Sequence, residues 1–240
     1  MKYSTERFIK KCLWFAVIAE AVFLWFYPEY IKRLIYPVLY GQPTNKALSI
    51  SADDIFLPLT NNENQEIERI YDNEKVSFIP QVKYSVTAKI GIMERYDGWW
   101  ENYYHRHRHF RMLYNKFSPL DLSLFYGENA TKKMLEKCEL RHEYRGLFSC
   151  NEMDRGKLNN YHIIPANNNV AKGMQTLMNG DVVYIEGILV NVKHPYSNKE
   201  MKTGTAHNMI HDDQFMGGQY SGMCFITYTT KLIVNGYIYQ

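Results

Sequence analysis

Three histidines at alternate positions, His105, His107 and His109 in HRHRHF, would share one face of an extended strand. Three imidazoles with a fourth position left to water make the ligand set of a catalytic zinc ion. Successive ligands on one strand face lie about 6.5–7 Å apart, however, which strains bonds of about 2.1 Å unless the strand bends. The triplet also sits within WWENYYHRHRHFRMLY, where Trp99, Trp100, Tyr103, Tyr104, Arg106, Arg108 and Arg111 interleave rings with guanidinium groups. Platforms that stack single-stranded nucleic acid look like this. The same residue types are the usual anchors of protein–protein interfaces. The expectation is a loop that docks on another protein, with a metal at the three histidines as the alternative. A second polar group, His207, His211, Asp212 and Asp213, offers donors for a cation but has the composition of an ordinary wet loop.

The elements that must position these residues begin near the N-terminus. Residues 12–28, CLWFAVIAEAVFLWFYP, carry a single charge, Glu20, and follow Lys2, Arg7, Lys10 and Lys11. Seventeen residues at helical rise reach about 26 Å, the short end of a membrane span, with Trp25, Tyr27 and Tyr30 as an interfacial belt. Four basic residues before the span against Lys32 and Arg33 after it predict that residues 1–11 are cytoplasmic and the remainder lies outside. A cleaved signal peptide would share these features, but FLWFYPEY lacks a small-residue cleavage site. Glu20 is costly at bilayer depth. With Ala16 and Ala19 on its helix face, it is expected to meet a helix of another membrane protein. Residues 29–40 read as an interfacial helix on the outer leaflet. Residues 41–80, rich in Asn, Glu and Pro, read as a linker with one short helix around Asn64–Tyr71.

Strand signals fill residues 81–240. VKYSVTAKIGIM puts Val82, Tyr84, Val86, Ala88, Ile90 and Ile92 on one face, the period of a half-buried strand. LDLSLFYG, NYHIIPA, GDVVYIEGILVNVKH and MCFITYTTKLIVNGYIY supply further strands, the last a closing hairpin or a bent strand, and Gly187 suits a bulge or close bend. Between them, Asn168 or Asn169 can cap a helix carrying Val170, Met174, Leu177 and Met178, which Asn179-Gly180 ends. The expected fold class is mainly β with one or two short helices. It is a small barrel or sandwich, with an oligomer-binding-type barrel among the options, preceded by one transmembrane helix. At 46% hydrophobic residues the chain is rich enough for a folded domain, and a net charge of +3 is too small to imply nucleic acid or anionic lipid.

Several segments carry a resemblance: YSVTAK at 84–89, Glu94-Arg95-Tyr96, SPLDLSLFYG at 118–127, HIIPA at 162–166 and Gly222-Met223-Cys224. Over about residues 82–230 the chain resembles an uncharacterised bacterial family whose members follow a membrane anchor with SPxDLxLxWG-, NMHLIPA- and DDTGxGACE-like segments. The resemblance implies a shared fold and an extracytoplasmic station, and brings no activity with it. Tyr126 stands where the family has Trp, and Phe225 where an acidic residue follows the cysteine. Within these segments His162, with Asp121 as its carboxylate partner and Cys224 as a nucleophile, has the residue types of acid–base or acyl chemistry. A packed core histidine and cysteine are the plainer reading.

The sequence therefore predicts a non-enzymatic accessory or scaffold subunit. It would sit in a bacterial inner membrane with a periplasmic β-rich domain, binding other membrane proteins through Glu20 and the aromatic-basic loop and touching the lipid bilayer. No cofactor or nucleic acid is expected, and the residues identify no small-molecule substrate. The alternative is a membrane-anchored hydrolase or metal-dependent enzyme centred on His162, Asp121 and Cys224. If the compartment is oxidising, Cys138 and Cys150 are close enough in sequence to bridge, a loop worth about 3 kcal/mol. Both thiols should then resist alkylation in native protein until a reductant is added. Ready labelling of both without reductant would rule the bridge out.

Overall fold

The alternation that begins at Val82 belongs to a much longer strand. In the computed structural model, which describes residues 12–17, 28–71, 73–96, 113–114, 116–137, 141–143, 146–148, 157–193, 200–204 and 224–240, β4 runs from Glu74 to Arg95. One of its edges is taken by β9 (Val182–Lys193). The other is shared in turn by β3 (Ile67–Tyr71), β2 (Ile55–Leu57) and β5 (Leu120–Phe125). β5 pairs antiparallel with β8 (Leu158–Pro165), and β8 pairs parallel with β11 (Cys224–Val234). β11 then pairs antiparallel with β9. The five strands β4, β5, β8, β11 and β9 thus form a ring. The hairpin strand β12 (Tyr237–Tyr239) extends β11, and β1 (Gln42–Pro43) extends β12. A two-stranded pair, β6 (Arg141–Glu143) and β7 (Gly146–Phe148), stands apart from this sheet, and β10 (Glu200–Met201) adds to the end of β9.

Alternation along each strand divides the apolar residues into two cores. Tyr84, Val86, Ala88 and Ile90 of β4 meet Leu122 and Leu124, Tyr161 and Ile163, Ile185 and Leu189, and Phe225 and Leu232 inside the ring. Helix α3 (Asn168–Met174) plugs one end with Val170 and Met174, followed by Leu177. A second core lies outside: Ile164, Ile226 and Tyr228 from the backs of β8 and β11 pack with Phe78, Val190 and Val192 and with Leu113, Tyr114 and Phe117. All six residues of β5 are buried as a result.

Several boundaries differ from the sequence pattern for identifiable reasons. The stretch 41–80, which reads as a linker with a helix at Asn64–Tyr71, instead contributes β1, β2, β3 and the start of β4. Its hairpin turn is set by Asn73, whose φ of 67° is the left-handed conformation that Asn tolerates best after Gly. Ile92 leaves the face shared by Val82 to Ile90 because the register with β5 shifts between Ile90 and Ile92. Helix α3 is capped one residue before the nearer candidate, by Asn167, whose side chain accepts from the Val170 N–H. A helix is present where one is expected at 29–40, as α1 (Pro28–Tyr40), and among the described residues α2 (Lys132–Lys137) and a 3-10 turn at Gly127–Ala130 are added to α3.

Residues 12–17 are helical and the rest of the expected span, 18–27, lies outside the described residues. Among the described residues no helix is long and apolar enough to cross a membrane.

Gly187 is where the ring closes, opposite Tyr84 on β4 and Thr229 on β11. A Cβ there would lie 2.2 Å from the Tyr228 carbonyl oxygen and 2.9 Å from Thr229 Cα, both backbone atoms. Gly187→Ala should therefore destabilise by about 1–3 kcal/mol, read as a lower denaturation midpoint. An unchanged midpoint would mean that β9 and β11 do not approach this closely.

Candidate functional site

The register of the ring sets a row of polar residues across three strands. Glu94 of β4 is opposite Asp121 of β5, and Asp121 is opposite His162 of β8. Because Leu120, Leu122, Tyr161 and Ile163 point into the ring, period-2 alternation turns Asp121 and His162 to its outer face. That face is covered, so Asp121 is only 2% exposed. A carboxylate so placed needs partners. The His162 Nδ1 lies 3.6 Å from Asp121 Oδ1, an ion-pair distance longer than a good hydrogen bond. The Tyr96 hydroxyl lies 3.1 Å from Asp121 Oδ2 and 2.8 Å from Glu94 Oε2. A phenol has one proton, so it donates to one carboxylate at a time. Tyr114 packs edge-on against the imidazole at 5.4 Å.

Tyr96 and Tyr114 give the row a structural meaning. Tyr96 is the last described residue before segment 97–112 and is 3% exposed, with its N–H bonded to the Pro119 carbonyl. On the far side, Leu113, Tyr114 and Phe117 are buried in the outer core. There Phe117 meets Tyr114 at 4.9 Å, Phe78 at 5.6 Å and Tyr71 at 5.8 Å. Both stems of the segment thus converge on the Asp121–His162 pair, one through a hydroxyl and one through a ring.

As chemistry, a histidine beside a buried carboxylate is the base-and-orienter half of a nucleophilic relay. The third member is offset. The residue paired with His162 on β11 is Ile226, and Cys224 is paired with Asn160, two residues along. Asp121 and His162 are therefore brought together, while the ladder faces His162 with an aliphatic residue. Among the described residues no three His, Cys, Asp or Glu side chains form a metal-binding group. Glu20, Trp99, Trp100, Tyr103, Tyr104, His105, Arg106, His107, Arg108, His109, Arg111, Cys138, Cys150, His207, His211, Asp212 and Asp213 lie outside the described residues.

A second polar cluster escapes sequence inspection. Inside the ring Tyr84 and Tyr161 share a hydroxyl–hydroxyl hydrogen bond, and Tyr84 also donates to Asp54 Oδ2 at 3.2 Å. Burial, reinforced by Tyr161 and the Asp54 carboxylate, pushes the Tyr84 phenol well above its ordinary value, so it stays neutral. Phe56 and Phe225 pack around the two rings. Tyr84 and Tyr161 are legible as alternating strand residues; Asp54 gives no signal, because it comes from the apparent linker. Comparison with protein-family models, curated proteins and solved structures finds no match to this chain.

If Asp121 and His162 act on each other, Asp121→Asn and His162→Gln should be non-additive. A double-mutant cycle in chemical denaturation is expected to return a coupling of about 0.5–3 kcal/mol. Additivity within about 0.3–0.5 kcal/mol would show that the pair contributes nothing jointly.

Proposed function

We propose that this chain is a membrane-tethered accessory subunit: an oligomer-binding-type barrel that docks on another protein of a bacterial inner membrane through the connection between its first and second ring strands. The observation that carries the reading is the anchoring of segment 97–112 at both stems, by Tyr96 on one side and by Leu113, Tyr114 and Phe117 on the other. A segment bearing Trp99, Trp100, Tyr103, Tyr104, Arg106 and Arg108 then starts from a fixed base, which lowers the entropy lost on binding. Tyrosine, tryptophan and arginine are the residues that carry interface energy.

The ring order supports the same assignment. In order of sequence, the strands lie one-two-three-five-four around the ring, with three and five parallel and a helix between three and four. This is the arrangement of oligomer-binding barrels, which bind along the second and third strands and through the loops joining strands one to two and four to five. Those two loops here are residues 96–119 and 194–223. They hold the aromatic-basic run and the His207–Asp213 group. Fold-level analogy does not choose the ligand. The composition of the first loop favours protein, and a net charge of +3 gives nucleic acid no wider basic surface to follow.

In this reading residues 12–28 hold the barrel at the membrane with the N-terminus cytoplasmic and the barrel periplasmic, and Glu20 contacts a partner helix. Against an enzyme centred on Asp121, His162 and Cys224, His162 is paired with Ile226 on β11 and Cys224 with Asn160, and the imidazole meets the Tyr114 ring of the loop's second stem. No cofactor is assigned. Full-length protein with Trp99→Ala and Trp100→Ala, affinity-purified from detergent-solubilised membranes, should keep its denaturation midpoint and lose its co-purifying partner. Truncating a hot-spot residue costs about 2 kcal/mol or more, roughly thirtyfold in affinity. Undiminished recovery of the same partner would overturn the docking loop.

A further inference from the structure

Helix α1 is mounted on the barrel by its polar side. Arg33 reaches Asp181 with both guanidinium arms, Nη1 to Oδ2 at 3.0 Å and Nη2 to Oδ1 at 2.6 Å, and Asp181 also accepts the Met178 N–H at 2.9 Å. The Lys172 ammonium of α3 lies 5.0 Å from the Tyr36 ring and 5.5 Å from Tyr40, within cation–π range. At the C-terminal end the Gly41 N–H bonds to the Pro37 carbonyl and the chain passes straight into β1, which pairs with β12. The helix is therefore fixed along its length, and its other side is left facing outward. Leu34 is 76% exposed, Val38 73%, Leu39 63% and Ile35 46%. These positions, spaced i, i+1, i+4 and i+5, make one apolar strip.

We infer that this strip lies in the interfacial layer of the lipid bilayer, so that α1 is a platform holding the barrel at a set orientation to the membrane. The proposal rests on the reading of residues 12–28 as the membrane anchor. Continuity of the chain selects lipid over a protein occupant. The apolar run ends at Pro28, where α1 begins, so a chain leaving the hydrocarbon there passes directly into the helix that carries the strip, about one and a half turns before Leu34. Residues 12–17 already turn Leu13, Trp14, Phe15 and Val17 outward. Tyr30 and Tyr40, partly exposed at the two ends of the strip, have the amphipathic rings that settle at the headgroup level. An interfacial helix ordinarily turns its charged face to water. Here Arg33 is satisfied by Asp181, and the barrel takes the place of water on the polar side.

The test uses full-length protein reconstituted into phosphatidylethanolamine–phosphatidylglycerol vesicles containing a phospholipid with a photoactivatable acyl chain. Adducts are mapped by mass spectrometry after irradiation. Adducts are expected both within residues 12–27 and on Leu34, Ile35, Val38 or Leu39. Leu34→Glu with Val38→Glu, at exposed positions that leave folding intact, should abolish the second set and retain the first. Adducts confined to residues 12–27 in the unaltered protein would overturn the platform while leaving the anchor standing. Adducts in neither segment would overturn both. With a photoreactive amino acid placed at Leu34 in the same vesicles, cross-links from α1 to another protein chain instead of to lipid would identify the strip as a protein interface and also refute the proposal.

Discussion

β9 must bond to two strands at once. On one side it runs antiparallel to β4 from Val182 to Lys193, and on the other antiparallel to β11 from Val183 to Leu189. This double pairing turns an open sheet into a ring, and it needs two backbones to pass within a distance that only a residue without Cβ allows, at Gly187. Closing a sheet of few strands also demands strong local twist, which β-bulges supply by adding a residue to one strand of a pair. Register shifts occur at Pro80/Val82 and Ile90/Ile92 on β4 and at Thr229/Lys231 on β11. The shift near Pro80 has a second effect. Val76 and Phe78 have the same parity as Tyr84 and Val86, yet they pack in the outer core.

Two cores back to back leave β5, β8 and β11 with little solvent on either face, and this explains why the polar row is buried. Asp121 is in the protein interior because the stems of segment 97–112 close over it, and a carboxylate cannot stay there without donors. Tyr96 and His162 supply the near contacts. The relation is reciprocal: the acid is tolerated because Tyr96 brings its hydroxyl to it and His162, packed against Tyr114, lies beside it, and the stems in turn have this pair to meet. Polar contacts of this kind are directional and fix one arrangement, whereas the aromatic contacts of Phe117 allow several. If segment 97–112 docks on a partner, as proposed, it needs the first property at its base.

Much of this was legible in the chain, and the failures share one cause. The strands around Tyr84, Leu122, Ile163, Ile185 and Leu232 announce themselves by alternation, and Asn235-Gly236 announces the last hairpin through residues that accept φ of 52° and 76°. Residues 41–80 gave no such signal. IFL and IERIY are short edge strands with only partly buried residues, so their apolar period is weak, and the surrounding Asn and Glu residues hide it. Ring closure was equally hidden, because it depends on which strands meet and not on any one segment's pattern. The Asp121–His162 contact could be suspected from residue types, but its position beneath the loop stems follows from register, and register is a property of pairs.

Asp181 joins the barrel to what precedes it. Its carbonyl accepts the Ile90 N–H of β4, its N–H donates to the Met178 carbonyl, and its carboxylate receives both arms of Arg33 and the Met178 N–H. One residue therefore ties the exit of α3, the ring and α1 together. The two sides of the ion pair are not equivalent. Asp181 keeps the Met178 N–H if Arg33 is removed, whereas Arg33 without Asp181 would be left, at this joint, with its 3.4 Å contact to Asn235 Oδ1. Paired so, Arg33 lies against the barrel and leaves the outer strip of α1 without a charge at its centre. An apolar helix face mounted on a folded domain exists only if the polar residues of that helix have partners inside, and the joint at Asp181 is what provides them.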